Sequence, residues 1–574
     1  MTINILSPGV SALIAAGEVV ERPASVVKEL VENGLDAGAS QISIEVRRGG
    51  LDFIRVTDNG EGIPESDLPL AFHRYATSKL RKAEDLSHIH TLGFRGEALP
   101  SIAAVAEVEI LSRPHDAVAG AYLRLIDSKP VKQGTRGTAP GTTVTVSHLF
   151  AKQPARLKFM RTPTSENNHI ASLISHYALA YPEVRFSLRL DTRQTLVTSG
   201  SGNLSDAVAT VYRPEVAAVM LPIRGPAEER GGGISVGGLV GPPSISRVSR
   251  GYISLLVNRR WVQSRQLTFA VEEAYSGLLP TGRHPIAVID LRLPPEEVDV
   301  NVHPTKAEVR FRRPNDVFSA AQRAVRQALL EQAPVPSVGA KPAPAARRPP
   351  TPQEAAMPPL WERALQLERE DKAAPAAPVA PPPKSSLPVL RVIGQVGNTY
   401  IVAEGPQGMY LIDQHAAHER VLFEQLSAAR QKQGVESQGL LEPAIVEVSP
   451  QQEQILISNQ EALAEHGFQL EPFGQQAYLV RAIPAVLAGK DVPQAVTELL
   501  DLLDEETMAD RRDRVASSLA CHGAVRAGQT LAPEEMRELV RALEQTEAPH
   551  TCPHGRPTLL HMSTDILEKE FRRR

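Results

Sequence analysis

The stretch Pro23-Ala-Ser-Val-Val-Lys-Glu-Leu-Val-Glu-Asn-Gly-Leu-Asp-Ala-Gly38 predicts the helix on which the fold of the first part of the chain depends. Proline at its start and glycine just past its end are typical helix boundaries. Glu29, Asn33 and Asp36 lie together on the arc beside its apolar face. A carboxylate there can deprotonate water and an amide oxygen can ligate Mg²⁺. Alternatively, this arc is the solvated face of an amphipathic helix.

Glycine-containing stretches after this helix indicate a ligand. Ile42–Val46 and Phe53–Val56 flank a glycine turn and predict a β-hairpin. In Asp58-Asn-Gly-Glu-Gly62, the aspartate can accept from an exocyclic amine, and the glycines let the backbone approach a ligand. The loop Leu92-Gly-Phe-Arg-Gly-Glu-Ala98 runs into a helix and can give phosphate oxygens backbone N–H partners, although it is not a P-loop.

These motifs resemble a known family in their order and spacing. Glu29/Asn33, Asp58-x-Gly-x-Gly62, Gly93–Gly96 and Gly141-Thr-Thr143 are similar to the GHKL ATPase fold. The block Ile14-Ala-Ala-Gly-Glu-Val-Val-Glu-Arg-Pro23 is closer still to MutL mismatch-repair proteins of the bacterial type. The resemblance implies a multidomain α/β (α+β) protein that begins with a GHKL (Bergerat) sandwich.

The same resemblance implies the roles of individual residues in an ATP site. Glu29 is the expected general base, Asn33 the Mg²⁺ ligand and Asp58 the residue that reads adenine. The expected ATP-binding residues are Asn33, Asp58, Gly60, Gly62, Thr77, Ser78, Lys79, Gly93, Phe94, Arg95, Gly96, Thr143 and Lys306. Lys306 would reach the γ-phosphate from a second domain, although a lysine is most often only a surface residue. The chain departs from the family at Gly34 and at Ala151-Lys-Gln153.

Composition limits the remaining possibilities. A net charge of −4 excludes a globally basic nucleic-acid coat but allows a local groove. For such a groove the candidates are Arg156, Lys158, Arg161, Arg259, Arg260 and Arg265, of which we name Arg161 and Arg265 as DNA-binding residues. Scattered solvated charges are the alternative. Only two cysteines are present, which favours a reducing compartment over a disulfide framework. Without a signal peptide or a membrane span, a soluble intracellular protein is expected.

The stretch Asp413-Gln-His-Ala-Ala-His-Glu-Arg-Val-Leu-Phe-Glu424 predicts a second site. It follows the strand-like run Met409–Ile412, and its pattern becomes helical from about Ala416. His415 and Glu419 are four residues apart and share a helix face. Both cysteines of the chain, Cys521 and Cys552, lie in its last quarter and offer thiolates that suit Zn²⁺. The corner of strand and helix is therefore a candidate metal site.

This second region resembles the metal-dependent endonuclease motifs of the MutL family. Asp413, His415 and Glu419 are the expected catalytic and metal-binding residues, with Cys521, Cys552 and His554 as further ligands of Zn²⁺ and/or Mn²⁺ or Mg²⁺. Glu424 is expected to support them, and His418 to assist or to lie at the surface. The tail Phe571–Arg573 matches a further motif, whereas His522 departs from it. Gln438, Leu440, Leu441 and Pro443 resemble a sliding-clamp-binding motif, although such a short pattern is common by chance.

We expect the chain to consist of four regions. Residues 1–204 form the ATPase domain, 205–333 a ribosomal-S5-like transducer and 389–574 the dimerisation and endonuclease domain, with a subdomain inserted at about 445–515. Between them, residues 334–388 hold fifteen of the 47 prolines and predict a disordered Pro/Ala-rich linker.

The resemblance implies a cytoplasmic, nucleoid-associated homodimer with ATP and Mg²⁺ as cofactors. It would bind DNA without sequence preference and couple mismatch recognition by MutS, with the replication sliding clamp, to strand nicking. The alternative is an ATP-dependent matchmaker whose second metal site is only structural.

Overall fold

The structure, a computed structural model, describes residues 17, 19–79, 91–93, 96–223, 233–280, 282–299, 309–332, 387–432, 435–474, 476–503, 511–524 and 529–570. Phe94, Arg95, Lys306, the tail Phe571–Arg573 and almost all of the predicted linker lie outside these residues. The chain divides into two compact units. The first unit is Met1–Ala333 with Leu426–His522, and the second unit is Pro334–Gln425 with Gly523–Arg574.

An eight-stranded sheet of order β5-β4-β3-β6-β2-β1-β7-β8 begins the first unit. Its strands are β1 Gln41–Arg47, β2 Phe53–Asp58, β3 Glu107–Arg113, β4 Gly120–Ile126, β5 Lys129–Arg136, β6 Gly141–Ser147, β7 Arg185–Leu190 and β8 Arg193–Val197. The accompanying helices are α1 Pro23–Asp36, α2 Ala98–Val105, α3 Pro154–Phe159, α4 Pro163–Ala180, α5 Leu204–Tyr212 and α6 Pro214–Val219. The predicted hairpin is confirmed, because β1 and β2 pair antiparallel.

Alternation of apolar residues explains why β1 lies where it does. Ile42, Ile44 and Val46 are buried, while the residues between them face away, as expected for a strand with one covered face. Helix α1 buries Val26, Val27, Leu30 and Val31 in the same core, so its polar arc stays at the edge. The predicted helix is therefore confirmed, and its packing fixes the direction of Glu29 and Asn33.

A five-stranded sheet of order β12-β11-β13-β10-β9 follows in the first unit. Its strands are β9 Leu221–Pro222, β10 Ser235–Val240, β11 Ile253–Val257, β12 Arg260–Val262 and β13 Ala287–Arg292. The short pair β14 Val298–Asp299 and β15 Arg310–Phe311 stands apart, and the helices are α7 Arg265–Ala274 and α8 Pro314–Gln332. The sequence pattern predicts a helix near Leu267–Leu278, which is too long at its end, since α7 stops at Ala274.

The rest of the chain contributes to both units. In chain order its elements are β16 Arg391–Val396, β17 Tyr400–Gly405, β18 Gly408–Asp413, α9 Gln414–Lys432, β19 Ser437–Glu447, α10 Pro450–Ser458, α11 Gln460–Glu465, β20 Gln469–Gly474, β21 Ala477–Pro484, α12 Val492–Leu503, α13 Arg511–Gly523, α14 Pro533–Glu544, β22 Leu559–Ser563 and α15 Thr564–Glu570. Two sheets result, β16-β17-β18-β22 in the second unit and β19-β21-β20 in the first.

Several predicted bounds in this part were wrong. The sequence pattern predicts a helix near Gln451–His466, but the structure breaks it at Asn459, whose side chain donates to the Ile455 carbonyl. The pattern also predicts a helix from Arg511 to Gly528, whereas α13 ends at Gly523. A mixed α/β, multidomain fold is confirmed, while the predicted domain boundaries remain predictions. Among the described helices, none is long and apolar enough to cross a membrane.

Candidate nucleotide and metal sites

Helix α1 carries Glu29 at the edge of the first core, with 13% of its side chain exposed. The neighbouring Lys28 ammonium lies 3.7 Å from the Glu29 carboxylate and 3.1 Å from that of Glu32. Glu32 is buried and accepts a 2.8 Å hydrogen bond from the Tyr177 hydroxyl of α4. Burial, followed by the Glu32 charge, raises the pKa of Tyr177, so this hydroxyl keeps its proton. The turn of α1 that carries Glu29 is thus held by a buried polar pair.

Asp36, one helical turn after Asn33, contacts several residues of the predicted phosphate site. Its two carboxylate oxygens accept the backbone N–H groups of Leu92 at 2.9 Å and Gly93 at 3.0 Å. The Lys79 ammonium donates to Asp36 at 2.5 Å and to the Asn33 amide oxygen at 3.0 Å. Sequence reasoning placed Asp36 on the polar arc and treated it as the helix end, but missed this role. The signal was its position one turn after Asn33.

Asp58 lies at the end of β2, and backbone hydrogen bonds fix the position of its carboxylate. Its Oδ1 accepts the N–H groups of Gly60 at 2.9 Å and Thr142 at 3.3 Å. Burial raises the pKa of the Asp58 carboxyl, and these two hydrogen bonds oppose the rise. Gly141 has φ +114°, and a Cβ there would lie 2.1 Å from the Asp58 carbonyl oxygen. Only glycine allows β6 to start this close to Asp58.

The described residues predicted to bind ATP form separate local contacts, such as Lys79 with Asn33 and Gly60 with Asp58. Thr77 accepts the Lys79 N–H at 3.1 Å, and Thr143 shares a 3.2 Å hydroxyl contact with Thr57 across β2 and β6. A Cβ on Gly62 would lie 2.4 Å from the Arg113 carbonyl oxygen, so glycine is required there as well. Gly60, Gly96 and Ser78 are also described. Phe94, Arg95 and Lys306 cannot be placed, since they lie outside the described residues.

Of the six basic residues proposed for a DNA groove, Arg156 and Arg259 are partly exposed and form hydrogen bonds within the fold, whereas Arg260 is buried. Arg156 donates to the Gly17 carbonyl, and Arg259 donates to the Ala180 carbonyl and to Glu183. Arg260 is only 7% exposed. Burial removes Arg260 from the surface, while the DNA groove itself stays a prediction. Arg161 and Arg265, the two residues named as DNA-binding, are exposed, as is Lys158.

In the second unit, Asp413 and His415 lie where β18 passes into α9. Asp413 Oδ1 accepts the backbone N–H groups of His415 at 2.9 Å and Ala416 at 3.1 Å, so Asp413 is the N-cap of α9. One turn later, Glu419 Oε1 lies 3.2 Å from His415 Nε2. Glu419 is only 2% exposed. A carboxylate this deeply buried needs a charged, hydrogen-bonded or metal partner.

Cys552 belongs to the loop that packs against this corner of the second unit. It is buried and forms a side-chain hydrogen bond with Glu419. Burial raises the pKa of the Cys552 thiol, and the Glu419 charge adds to the rise. The backbone N–H of His554 donates to this sulfur, whereas the His554 ring is exposed. Arg420 fixes the loop to α9 through a 2.5 Å hydrogen bond to the Thr551 carbonyl, a contact that sequence reasoning missed.

Glu424 holds another loop of the second unit. Its carboxylate accepts the backbone N–H groups of Glu547 at 2.7 Å and Ala548 at 3.2 Å. Arg420 lies 3.7 Å from the same carboxylate. Glu424 therefore supports a loop backbone, whereas Glu419 contacts His415.

Cys521 and His522 lie near the end of α13, in the first unit. His522 Nε2 is 3.5 Å from Glu498 Oε2. The other carboxylate oxygen of Glu498 accepts a hydrogen bond from Arg283. The departure from the family at His522 is therefore accommodated by an acidic neighbour.

The stretch Leu440–Pro443 protrudes from β19, just after the paired Gln438. The register with β21 jumps from Gly439 opposite Ala482 to Ala444 opposite Val480, so the residues between them bulge out of the ladder. Leu441 is fully exposed in this bulge. An exposed leucine between an exposed glutamine and proline can enter an apolar groove on another protein.

Comparisons with known proteins assign families to three regions of the chain. A family described as a histidine kinase-, DNA gyrase B- and HSP90-like ATPase matches residues 21–134. A DNA mismatch repair protein C-terminal domain matches residues 208–330, and the MutL C-terminal dimerisation domain matches residues 393–531. The predicted GHKL ATPase domain and C-terminal dimerisation domain are thereby confirmed.

Whole-length relatives agree with these regional matches. The DNA mismatch repair protein MutL of Symbiobacterium thermophilum is 41% identical, with 100% of both chains covered. The DNA mismatch repair protein MutL of Desulforudis audaxviator is 42% identical over 100% of this chain and 99% of its own. Among solved structures, the N-terminal domain of a DNA repair protein is 26% identical with a TM-score of 0.48, covering 56% of this chain and 98% of that one.

Proposed function

Because this chain belongs to the MutL family of DNA mismatch repair proteins, we propose that it couples ATP hydrolysis to metal-dependent nicking of DNA. The family supplies an ATPase domain and a C-terminal dimerisation domain, and hence a homodimer. In the proposal, MutS reports the mismatch, the sliding clamp helps to direct the cut, and the homodimer nicks one strand.

In the ATP site, we assign Glu29 as the general base and Asn33 as the Mg²⁺ ligand. Support comes from the Lys79 ammonium, a cation that already lies between the Asn33 amide oxygen and the Asp36 carboxylate. Oxygen ligands of this kind suit Mg²⁺, which balances phosphate charge when bound. Asp58, whose carboxylate is fixed by the Gly60 and Thr142 N–H groups, accepts from the adenine amine in this proposal.

The single observation that carries the nuclease proposal is the buried Glu419 carboxylate in contact with both an imidazole and a thiol. His415 lies 3.2 Å away, and Cys552 forms a hydrogen bond with the same carboxylate. Carboxylate, imidazole and thiolate together suit Zn²⁺ or Mn²⁺. In the proposal Asp413 and His554 complete the ligand set within the second unit, and a metal held there would supply an activated water for phosphodiester hydrolysis.

The protein's own residues hold this site in place. Asp413 fixes the first turn of α9 through Oδ1, and the His415 ring of that turn lies 3.2 Å from the Glu419 carboxylate. Arg420 and Glu424 hold the two loops that carry Cys552 and residues 547–548. Supporting contacts of this kind hold metal ligands in position relative to a reacting phosphate.

Two surfaces complete the proposal. Arg161 and Arg265 are exposed and can contact DNA phosphates without reading sequence. The stretch Gln438–Pro443, with the fully exposed Leu441 in its bulge, is the proposed contact with the sliding clamp.

A second candidate is a matchmaker in which this site only stabilises the fold. It is favoured by the two acids that already have structural tasks: Asp413 caps α9, and Glu424 binds a loop backbone. In that case, metal would be retained while DNA stays intact.

Nicking of supercoiled plasmid by the full-length protein with Mn²⁺ separates the two candidates. Asp413→Asn is the informative variant, since asparagine remains a good N-cap but loses the charge. We expect it to fold and to nick at most about one hundredth as fast as wild type, the scale of losing a group that acts on the reacting centre. Glu404→Gln, an exposed acid on β17 of the same sheet, should nick normally.

Metal analysis of the same preparations completes the test. Wild type that carries Zn²⁺ but nicks no faster than Asp413→Asn would contradict the nuclease and favour the structural site. Loss of metal together with loss of nicking in Glu419→Gln would support the proposed ligand set.

A further inference from the structure

The segment Thr91–Gly93, which leads into the proposed phosphate loop, is held from two sides by different domains of the first unit. On one side, the Asp36 carboxylate of α1 accepts the N–H groups of Leu92 and Gly93 at 2.9 and 3.0 Å. On the other side, Arg260 Nη2 donates to the carbonyl oxygens of Thr91 at 3.1 Å and Leu92 at 3.0 Å. The position of this segment therefore depends on both anchors.

Arg260 belongs to the second sheet of the first unit, not to the sheet beneath the nucleotide motifs. It begins β12, which pairs antiparallel with β11, and all five residues of β11 are buried. Its guanidinium is delivered to the loop from a strand whose position the second core fixes. A shift of that sheet would move the Thr91 and Leu92 carbonyls with it.

The guanidinium is buried and incompletely satisfied. Arg260 is 7% exposed, and within the described part of the chain its buried Nη1 has no hydrogen-bond partner. Buried donors usually have acceptors, and charged ones gain most from them. This nitrogen has the capacity to bind a further acceptor when the loop or a bound nucleotide presents one.

Arg260 also lies near the helix that carries the proposed general base. Its charge acts on the Tyr177 hydroxyl, and Tyr177 donates to Glu32 of α1. The Arg260 charge and the Glu32 carboxylate of α1 thus act on the same buried hydroxyl.

We propose that Arg260 is a positioning residue for ATP turnover, holding Thr91–Gly93 from the second sheet so that nucleotide affinity depends on the placement of that sheet. The proposal rests on the assignment of Gly93–Gly96 to the phosphates. It adds a link from the second domain that does not involve Lys306. Because Arg260 acts on the loop and not on the attacking water, its substitution should change the KM for ATP more than kcat.

Steady-state ATP hydrolysis by full-length Arg260→Met tests this inference. Methionine keeps much of the volume but has no donors. We expect KM for ATP to rise about tenfold, the scale of one lost charge-assisted contact, with kcat reduced less. Hydrogen–deuterium exchange should show faster exchange of the Leu92 and Gly93 amides in the presence of a non-hydrolysable ATP analogue. Arg292→Met, which removes an exposed arginine from β13 of the same sheet, is the matched control and should behave as wild type.

A folded Arg260→Met protein with wild-type KM and wild-type exchange would overturn the proposal. If that variant does not fold, Arg260→Lys decides, because a compact ammonium on a flexible stem does not reproduce the guanidinium contact. Its KM should rise by a smaller factor, and wild-type KM and exchange would equally overturn the proposal. Glu29→Gln in parallel keeps the two assignments distinct: if it abolishes turnover while Arg260→Met changes nothing, only the role of Arg260 fails.

Discussion

The proposed ATP site of the first unit and the acidic corner of the second unit are built in different ways. Around Asp58 and Asp36, carboxylates accept backbone N–H groups, and glycines let strands and loops approach closely. Around Glu419, the contacts are between side chains, an imidazole and a thiol against a buried carboxylate. The first site is shaped by the backbone, whereas the second depends on which side chains meet.

This difference predicts how each site fails. A site made by backbone geometry is sensitive to the addition of one methyl group at a glycine, which lowers the stability of the fold. At a site made of ligand side chains, an isosteric substitution of a ligand leaves the fold intact but removes metal binding and activity. Perturbing each region by a matched change tests the contrast.

The largest effect should come from Glu29→Gln. Removing a general base while keeping the shape of the side chain should lower the kcat for ATP by about 100- to 10,000-fold. Nucleotide binding and the metal content of the second unit should stay as in wild type. Glu65→Gln, at an exposed position, is the control. Turnover within a few-fold of wild type would contradict the assignment of Glu29.

Next in size is Gly141→Ala in the backbone-built site. The φ of +114° and the 2.1 Å approach to the Asp58 carbonyl oxygen leave no space for Cβ. We expect the free energy of unfolding to fall by about 3 kcal/mol or more. Gly137→Ala, where a Cβ meets nothing within 4 Å, should be nearly neutral in urea denaturation. Equal stability of the two variants would show that backbone closeness does not shape this site.

A pH effect of similar or smaller size should arise in the first unit from His176. Its ring is stacked on Trp261 at 4.3 Å, its Nδ1 is 3.1 Å from the Ser254 hydroxyl, and burial lowers its pKa to about 4. The unfolded chain, with a pKa near 6.5, binds the proton more readily, so this contribution to stability is complete above pH 6.5 and is lost as pH falls towards 4. At about 1.4 kcal/mol per pKa unit, the loss is about 3 kcal/mol.

Urea denaturation of wild type and His176→Gln between pH 7 and pH 4 measures this slope. The variant should lose less stability over that range than wild type does. An unchanged slope in His176→Gln would contradict the role of burial.

The smallest effect should come from the exposed Arg161 and Arg265. Replacing both by glutamine should reduce the slope of log Kobs for DNA against log salt by about 2, close to one per phosphate contact. ATP hydrolysis without DNA should not change. A salt slope equal to that of wild type would remove these two residues from the DNA surface.

Local patterns allowed much of the fold to be predicted from the sequence. The periodicity of Val26, Val27, Leu30 and Val31 located α1, and alternation located β1. Helix ends were predicted less well, as at Ala274 and Asn459, because capping and packing decide where a helix stops. For the basic residues, sequence could not separate exposed Arg161 from buried Arg260, since burial is a property of the folded chain.

By itself, the sequence determined residue types and spacings that act over one or two turns. The arc of Glu29 and Asn33, the glycines after Asp58 and the pair His415 and Glu419 belong to this class, since helix and strand geometry fix such distances. The family resemblance added roles to these residues, and the comparisons confirmed the family.

Only the tertiary structure decided which distant residues meet. Asp36 binds the Leu92 and Gly93 backbone, Arg260 approaches the same segment from another sheet, and Cys552 reaches Glu419. Such contacts result from the packing of sheets and loops far apart in sequence, and no local periodicity encodes them. The separation into a backbone-built site and a side-chain-built site is therefore a property of the fold.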